Sequence, residues 1–128
     1  MTDVTHDTPV ATDDEMLRYA NAYVATSNAL GDAILILRRL EDRTIDPGEV
    51  LSLMVERRKL EDRYARNERN FLAVLATTIA MHPPAQADVD AIVLLAAEVA
   101  QLTLTAMDFR QVVTLATEVA DRFDEIQG

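Results

Sequence analysis

The segment Asp46-Pro47-Gly48-Glu49 constrains the fold of this 128-residue chain more than any other, because it begins a helix inside sequence that already favours helix. Its aspartate can cap the first turn, its proline suits the first helical position, and its glutamate completes a capping box. Residues 13–43 before it and 47–82 after it carry apolar side chains at helical spacing. Two long helices with a short connection predict an antiparallel hairpin.

Two further helices are predicted after Pro83-Pro84, which must end the second helix because a proline ring has no backbone N–H to donate. At 100° per residue, the apolar positions before Asp108 lie opposite those after it, a change too large for heptad drift. Asp108 with Gln111 resembles the start of a new capped helix. The predicted fold class is all-α, an antiparallel helical bundle built on the long hairpin, with helices at 13–43, 47–82, 86–106 and 109–126.

The composition supports helix and narrows the chemistry. The chain has 19 Ala but only 3 Gly and 4 Pro, a balance that favours helix over sheet. The absence of Cys excludes disulfides, thiolate metal sites and a cysteine nucleophile. His6 and His82 are far apart in the sequence, so we expect neither a metal nor a cofactor. A net charge of −10 makes nucleic acid and anionic membranes poor partners.

The first residues differ from the rest of the chain in composition. Residues 1–11 carry acidic but no basic side chains, and we expect a flexible acidic tail, with residues 12–128 as a single helical domain. The tail lacks the basic and apolar regions of a secretory signal, which predicts a cytoplasmic protein. The 11 Arg against 1 Lys, together with the many Ala, are typical of a GC-rich bacterial genome.

The densest run of charge, residues 56–69, allows two interpretations. Lys59, Arg63 and Arg66 lie at i, i+4 and i+7, where they form a basic ridge that would bind an acidic partner or a phosphate. The alternative is a solvated helix face held by ion pairs between residues four apart. The candidate pairs for that alternative are Arg57/Glu61, Arg58/Asp62 and Asp62/Arg66.

An enzymatic alternative comes from the segment LSLMVERRKL, residues 51–60. Its Leu-rich stripe running into Glu-Arg-Arg resembles the first helix of the all-helical chorismate mutases. The resemblance implies a helical-bundle enzyme that binds an anionic ligand through Arg57, Arg58 and Arg69. Members of that family also carry a Lys about three turns downstream of this segment and an Arg about five turns upstream. In this chain the downstream position holds Glu68 or Arg69, and the upstream position holds Leu40 or Glu41.

The sequence otherwise shows no catalytic pattern, and the expected function is a non-enzymatic protein-interaction module: an adaptor, a regulator or an inhibitor-type accessory protein. Its partner would be another protein or a second copy. Because the first two predicted helices are longer than the last two, part of the hairpin is expected to stay uncovered, which predicts a homodimer. The residues predicted at that oligomer interface are Leu30, Ile34, Leu37, Leu51 and Met54.

Overall fold

A computed structural model describes residues 13–77, 84–105 and 109–127, and it confirms the all-α bundle. The four helices are α1 (Asp13–Arg43), α2 (Pro47–Thr77), α3 (Gln86–Thr105) and α4 (Phe109–Gln127). All four begin at the residues where the sequence predicts a helix to begin. In the part of the chain that is described, no helix is both long and apolar enough to span a membrane.

Three sequence predictions lie outside the described residues. They concern the acidic tail 1–11, the end of the second helix at residue 82, and the capping role of Asp108. The predicted division of the C-terminal region is nevertheless confirmed, because α3 ends at Thr105 and α4 begins at Phe109. The change in apolar phase follows from this division, since each helix turns its own apolar face to the core.

Local side chains cap both helix ends at the tip of the α1–α2 hairpin. At the end of α1, the Thr44 hydroxyl donates a hydrogen bond to the Leu40 carbonyl, 2.6 Å away. At the start of α2, Asp46 Oδ1 accepts one from the Gly48 N–H at 3.2 Å, and the Asp46 carbonyl accepts one from the Val50 N–H at 3.0 Å. Asp46 is therefore the N-cap of α2, as predicted.

The last two helices run along α1 in opposite directions. Arg18 Nε donates a hydrogen bond to the Pro84 carbonyl at 3.1 Å, so α3 begins beside the start of α1 and runs parallel to it. Phe123, near the end of α4, stacks on Tyr19 with ring centroids 5.6 Å apart, so α4 runs antiparallel to α1. Both α2 and α3 pack against α1 and α4 but, within the described residues, not against each other. The bundle therefore has α1 and α4 in its middle and α2 and α3 on opposite outer sides.

Aromatic rings close one end of the core. Tyr19 and Tyr23 of α1 contact Phe71 of α2 and Phe123 of α4, and the Tyr23 and Phe71 rings stack with centroids 4.0 Å apart. Tyr19 is fully buried and Tyr23 is half-buried, so both rings contribute to core packing. Toward the hairpin tip the core is mostly aliphatic, although the Phe109 ring at the start of α4 is also buried there. Its buried aliphatic side chains are Leu30, Leu37, Leu53, Leu60, Val99 and Val112.

Candidate interaction surface

The side chains of the basic ridge on α2 form ion pairs within the chain. Arg63 contacts Asp121 at 2.5 Å and Asp124 at 2.7 Å, and Arg66 contacts Asp124 at 3.3 Å. Burial lowers the pKa of Arg63, but the hydrogen bonds and charges of the two aspartates outweigh this and hold its pKa above the ordinary value. The third ridge residue, Lys59, pairs with Glu56 at 3.4 Å. The ridge joins α2 to α4, so its charge is largely satisfied inside the molecule.

One of the three proposed i, i+4 pairs is present as an ion pair, and it belongs to a larger network. Arg57 contacts Glu61 at 2.6 Å and also reaches across the hairpin to Glu41 at 2.6 Å. The hydrogen bonds that the Arg57 guanidinium donates to the Glu41 carboxylate are the main reason that the pKa of Arg57 lies above its ordinary value, and partial burial opposes this shift. Arg66 pairs with α4 rather than with Asp62.

The structure does not bring Arg57, Arg58 and Arg69 together. Arg57 is half-buried between α1 and α2, where two glutamates occupy its guanidinium. Arg58 and Arg69 are exposed and lie about 100–120° around α2 from Arg57, because residues one and twelve apart do not share a helix face. The arrangement therefore supplies no common pocket in which the three arginines would hold one anion.

The five residues of the predicted oligomer interface do not form one exposed face. The expectation that Leu30 and Leu37 are uncovered is wrong, because both are fully buried in their own chain. Ile34 and Met54 are half-buried, and only Leu51 is well exposed, at 61%. Leu30 and Leu37 are buried because α3 and α4 cover the side of α1 that the helix lengths predicted to be exposed.

A different apolar surface lies on the outward side of α3. Asp90, Val93, Leu94, Ala97 and Gln101 fall within about 100° of arc on this helix, and all five are exposed. Leu94 is 67% exposed and Val93 46%. Because α3 packs only against α1 and α4, no other helix of the described chain covers this side. We call these five residues, together with Glu98, the α3 outer face.

The α3 outer face continues into a groove between α3 and α4. The groove has a volume of about 420 Å³, and a second depression of about 440 Å³ adjoins it toward the start of α4. Leu102 and Leu115 line both depressions. The first is lined by Leu94, Ala97, Glu98, Gln101, Leu102 and Leu115. A shallow depression of mainly apolar side chains between two antiparallel helices is a surface on which a third helix can pack.

The sequence contains a signal for this surface that the periodicity analysis missed. At 100° per residue Asp90, Glu98 and Gln101 share one polar arc, but residues 91–97 are seven consecutive apolar positions. A helix that packs on one side only cannot bury such a run, so part of it is left exposed. Val93 and Leu94 are that part.

Other chemistry has little support among the described residues. Within 13–77, 84–105 and 109–127, no group of three or more His, Asp or Glu side chains could hold a metal ion. A small depression of about 90 Å³ near the end of α4 is lined by Asp88, Ile92, Arg122, Glu125 and Ile126. Comparison of the chain with protein-family models, with curated proteins and with solved structures finds no match.

Proposed function

We propose that this chain is a non-enzymatic helical interaction module that binds a partner protein through the α3 outer face. The observation that carries the proposal is the exposure of Leu94 and Val93 beside a groove of about 420 Å³. Apolar side chains that are contiguous and exposed on a small bundle are typical of a binding surface. An adaptor, a regulator or an inhibitor-type protein would each use a surface of this kind.

The arginines also support the proposal, because Arg57 and Arg63 form ion pairs within the chain. Arg57 holds Glu41 and Glu61 at the hairpin, and Arg63 holds α4 through Asp121 and Asp124. A guanidinium that already has two carboxylates at hydrogen-bond distance has little capacity left for a ligand carboxylate or phosphate. We also propose a cytoplasmic location, with which the absence of cysteine is compatible.

Site-specific photocrosslinking in host cells tests the proposal. A photoreactive residue replaces Ala97, which is exposed on the α3 outer face, and in a matched control it replaces Arg69, which is exposed on α2. We expect one discrete crosslinked protein from position 97 only, and we expect Leu94→Gln to abolish it. Equal crosslinking from both positions, or none from position 97, would contradict the proposal.

A thermal-shift titration distinguishes the enzymatic alternative from the interaction module. A pocket that binds an anion only in the folded state raises the melting temperature as ligand is added. We expect millimolar dicarboxylates and inorganic phosphate to leave the melting temperature unchanged. A saturable rise that disappears in Arg58→Gln or Arg69→Gln would favour the enzyme over the interaction module.

A further inference from the structure

We propose that the partner of the α3 outer face is an amphipathic helix with basic residues beside its apolar stripe. The inference rests on the proposed function and adds the chemistry of the partner. It is carried by three features of α3: its charge, the length of its exposed apolar surface and the shape of the groove beside it.

Charge gives the first argument. Among its 20 residues, α3 has three charged side chains, Asp88, Asp90 and Glu98, and all three are exposed carboxylates. The neutral amide of Gln86 donates to Asp90 at 2.9 Å, and no ion pair of the described residues involves the three acids. Asp88 lies on the other side of α3 and lines a depression with Arg122, so the acids available to a partner of the α3 outer face are Asp90 and Glu98. A partner that carries Lys or Arg opposite these two carboxylates gains attraction.

Length and shape give the second argument. The α3 outer face extends from Asp90 to Gln101, which is about 17 Å along the helix axis, or about three helical turns. Asp90 and Glu98 flank Leu94 toward opposite ends of this stretch. A partner helix of about three to four turns would place apolar residues at i, i+3 or i+4, and i+7 over Leu94 and the groove, with its basic residues beside the two acids.

Other occupants fit the charge less well. Two copies that met through this face would bring the carboxylates of one α3 against those of the other, which is repulsive. An anionic lipid surface would be repelled for the same reason. A basic helix meets neither penalty.

Three synthetic peptides of about 14 residues test the inference by fluorescence anisotropy with the full chain. The first has Leu at helical spacing and Lys elsewhere, the second replaces every Lys with Glu, and the third has the composition of the first with the Leu positions scrambled. We expect the first peptide to bind at least about tenfold more tightly than either of the others, with an affinity that falls as salt is raised.

Matched variants locate the binding. Leu94→Gln and the pair Asp90→Asn with Glu98→Gln should each weaken the first peptide at least about fivefold. The controls are Leu51→Gln, which changes an equally exposed leucine of α2, and the pair Asp62→Asn with Glu68→Gln, which removes the same charge from exposed positions of α2. Both controls should change the affinity less than about twofold.

Each other result overturns the inference in a recognisable way. Equal weakening by the α2 pair would mean nonspecific attraction to an acidic protein. If the Lys and Glu peptides bound equally and Leu94→Gln weakened both, the partner would not be basic, but the proposed function would stand. The same conclusion would follow if no peptide bound while the photocrosslink was positive. Self-association of the chain that Leu94→Gln abolishes would identify a second copy as the occupant.

Discussion

At the scale of single residues, the most unusual position is Asn67, which is fully buried in α2. Neither its amide nitrogen nor its amide oxygen has a hydrogen-bond partner among the described residues, and the same is true of the buried Ser27 hydroxyl in α1. Ser27 and Asn67 each lie one turn from the stacked rings of Tyr23 and Phe71, toward the hairpin tip. In an antiparallel pair this places the two polar side chains at the same level, between the aromatic and aliphatic parts of the core.

Replacing Asn67 with an apolar residue of similar size should therefore stabilise the protein. A buried polar group without a partner costs about 1–3 kcal/mol, so we expect Asn67→Leu to raise the free energy of unfolding by about 1 kcal/mol. Urea denaturation followed by circular dichroism measures the change. Asn70→Leu, at an exposed position of the same helix, is the control and should shift the value by less than about 0.5 kcal/mol. A loss of stability in Asn67→Leu would show that the amide is satisfied in solution.

At the scale of helices, the sequence predicts interactions between residues that are close in the chain, but not contacts between residues that are far apart in it. The start of α2 was predictable because Asp46 caps a residue two positions away. The partners of Arg63 were not, because Asp121 and Asp124 are 58 and 61 positions away and become neighbours only when α4 packs against α2. For the same reason the apolar run of α3 did not reveal its open side, which depends on where the other helices lie.

The contacts of Arg63 predict a local role in holding the end of α4. Arg63→Met keeps most of the side-chain volume but removes the ion pairs to Asp121 and Asp124. We expect a loss of about 1 kcal/mol, since both aspartates are at least partly exposed to solvent, and the loss should shrink at high salt. Hydrogen exchange should be faster in the last turns of α4 and little changed in α3. Arg69→Met is the control; an equal loss there would deny Arg63 a specific role.

At the scale of the whole molecule, the length comparison failed because it underestimated how much of the 31-residue α1 a helix of 20 residues can cover. The 20 residues of α3 extend about 30 Å from the level of Arg18, far enough along α1 to reach the level of Leu37. The four-helix bundle and the first residues of its helices were thus predictable, but the surface it leaves exposed was not. Leu30 and Leu37 are core residues, and the exposed apolar side chains lie at other positions, among them Leu17, Val24 and Leu35 of α1, Leu51 and Leu72 of α2, and Val93 and Leu94 of α3.

This difference gives opposite expectations for Leu37→Glu. If Leu37 lay at an exposed dimer interface, the substitution would give a folded monomer in place of the dimer. In the core, a charge costs more than about 4 kcal/mol and would unfold a bundle of ordinary stability. We expect loss of the cooperative thermal transition, measured by circular dichroism. Leu51→Glu, at an exposed site, should keep that transition. A folded Leu37→Glu whose mass by light scattering is half that of the parent would restore the predicted homodimer.

The central place of α1 also bears on how the chain folds during synthesis. Of the four helices, α1 is synthesised before the three that pack against it, and the α1–α2 hairpin can form as soon as both its helices are made. Its aliphatic side stays in water until α3 and then α4 arrive, and Val112, Ala116 and Phe123 of α4 are all fully buried in the finished core. We therefore expect nascent chains of this protein to pass through a stage with a completed hairpin and an open core, when their exposed apolar side chains favour aggregation and binding to chaperones.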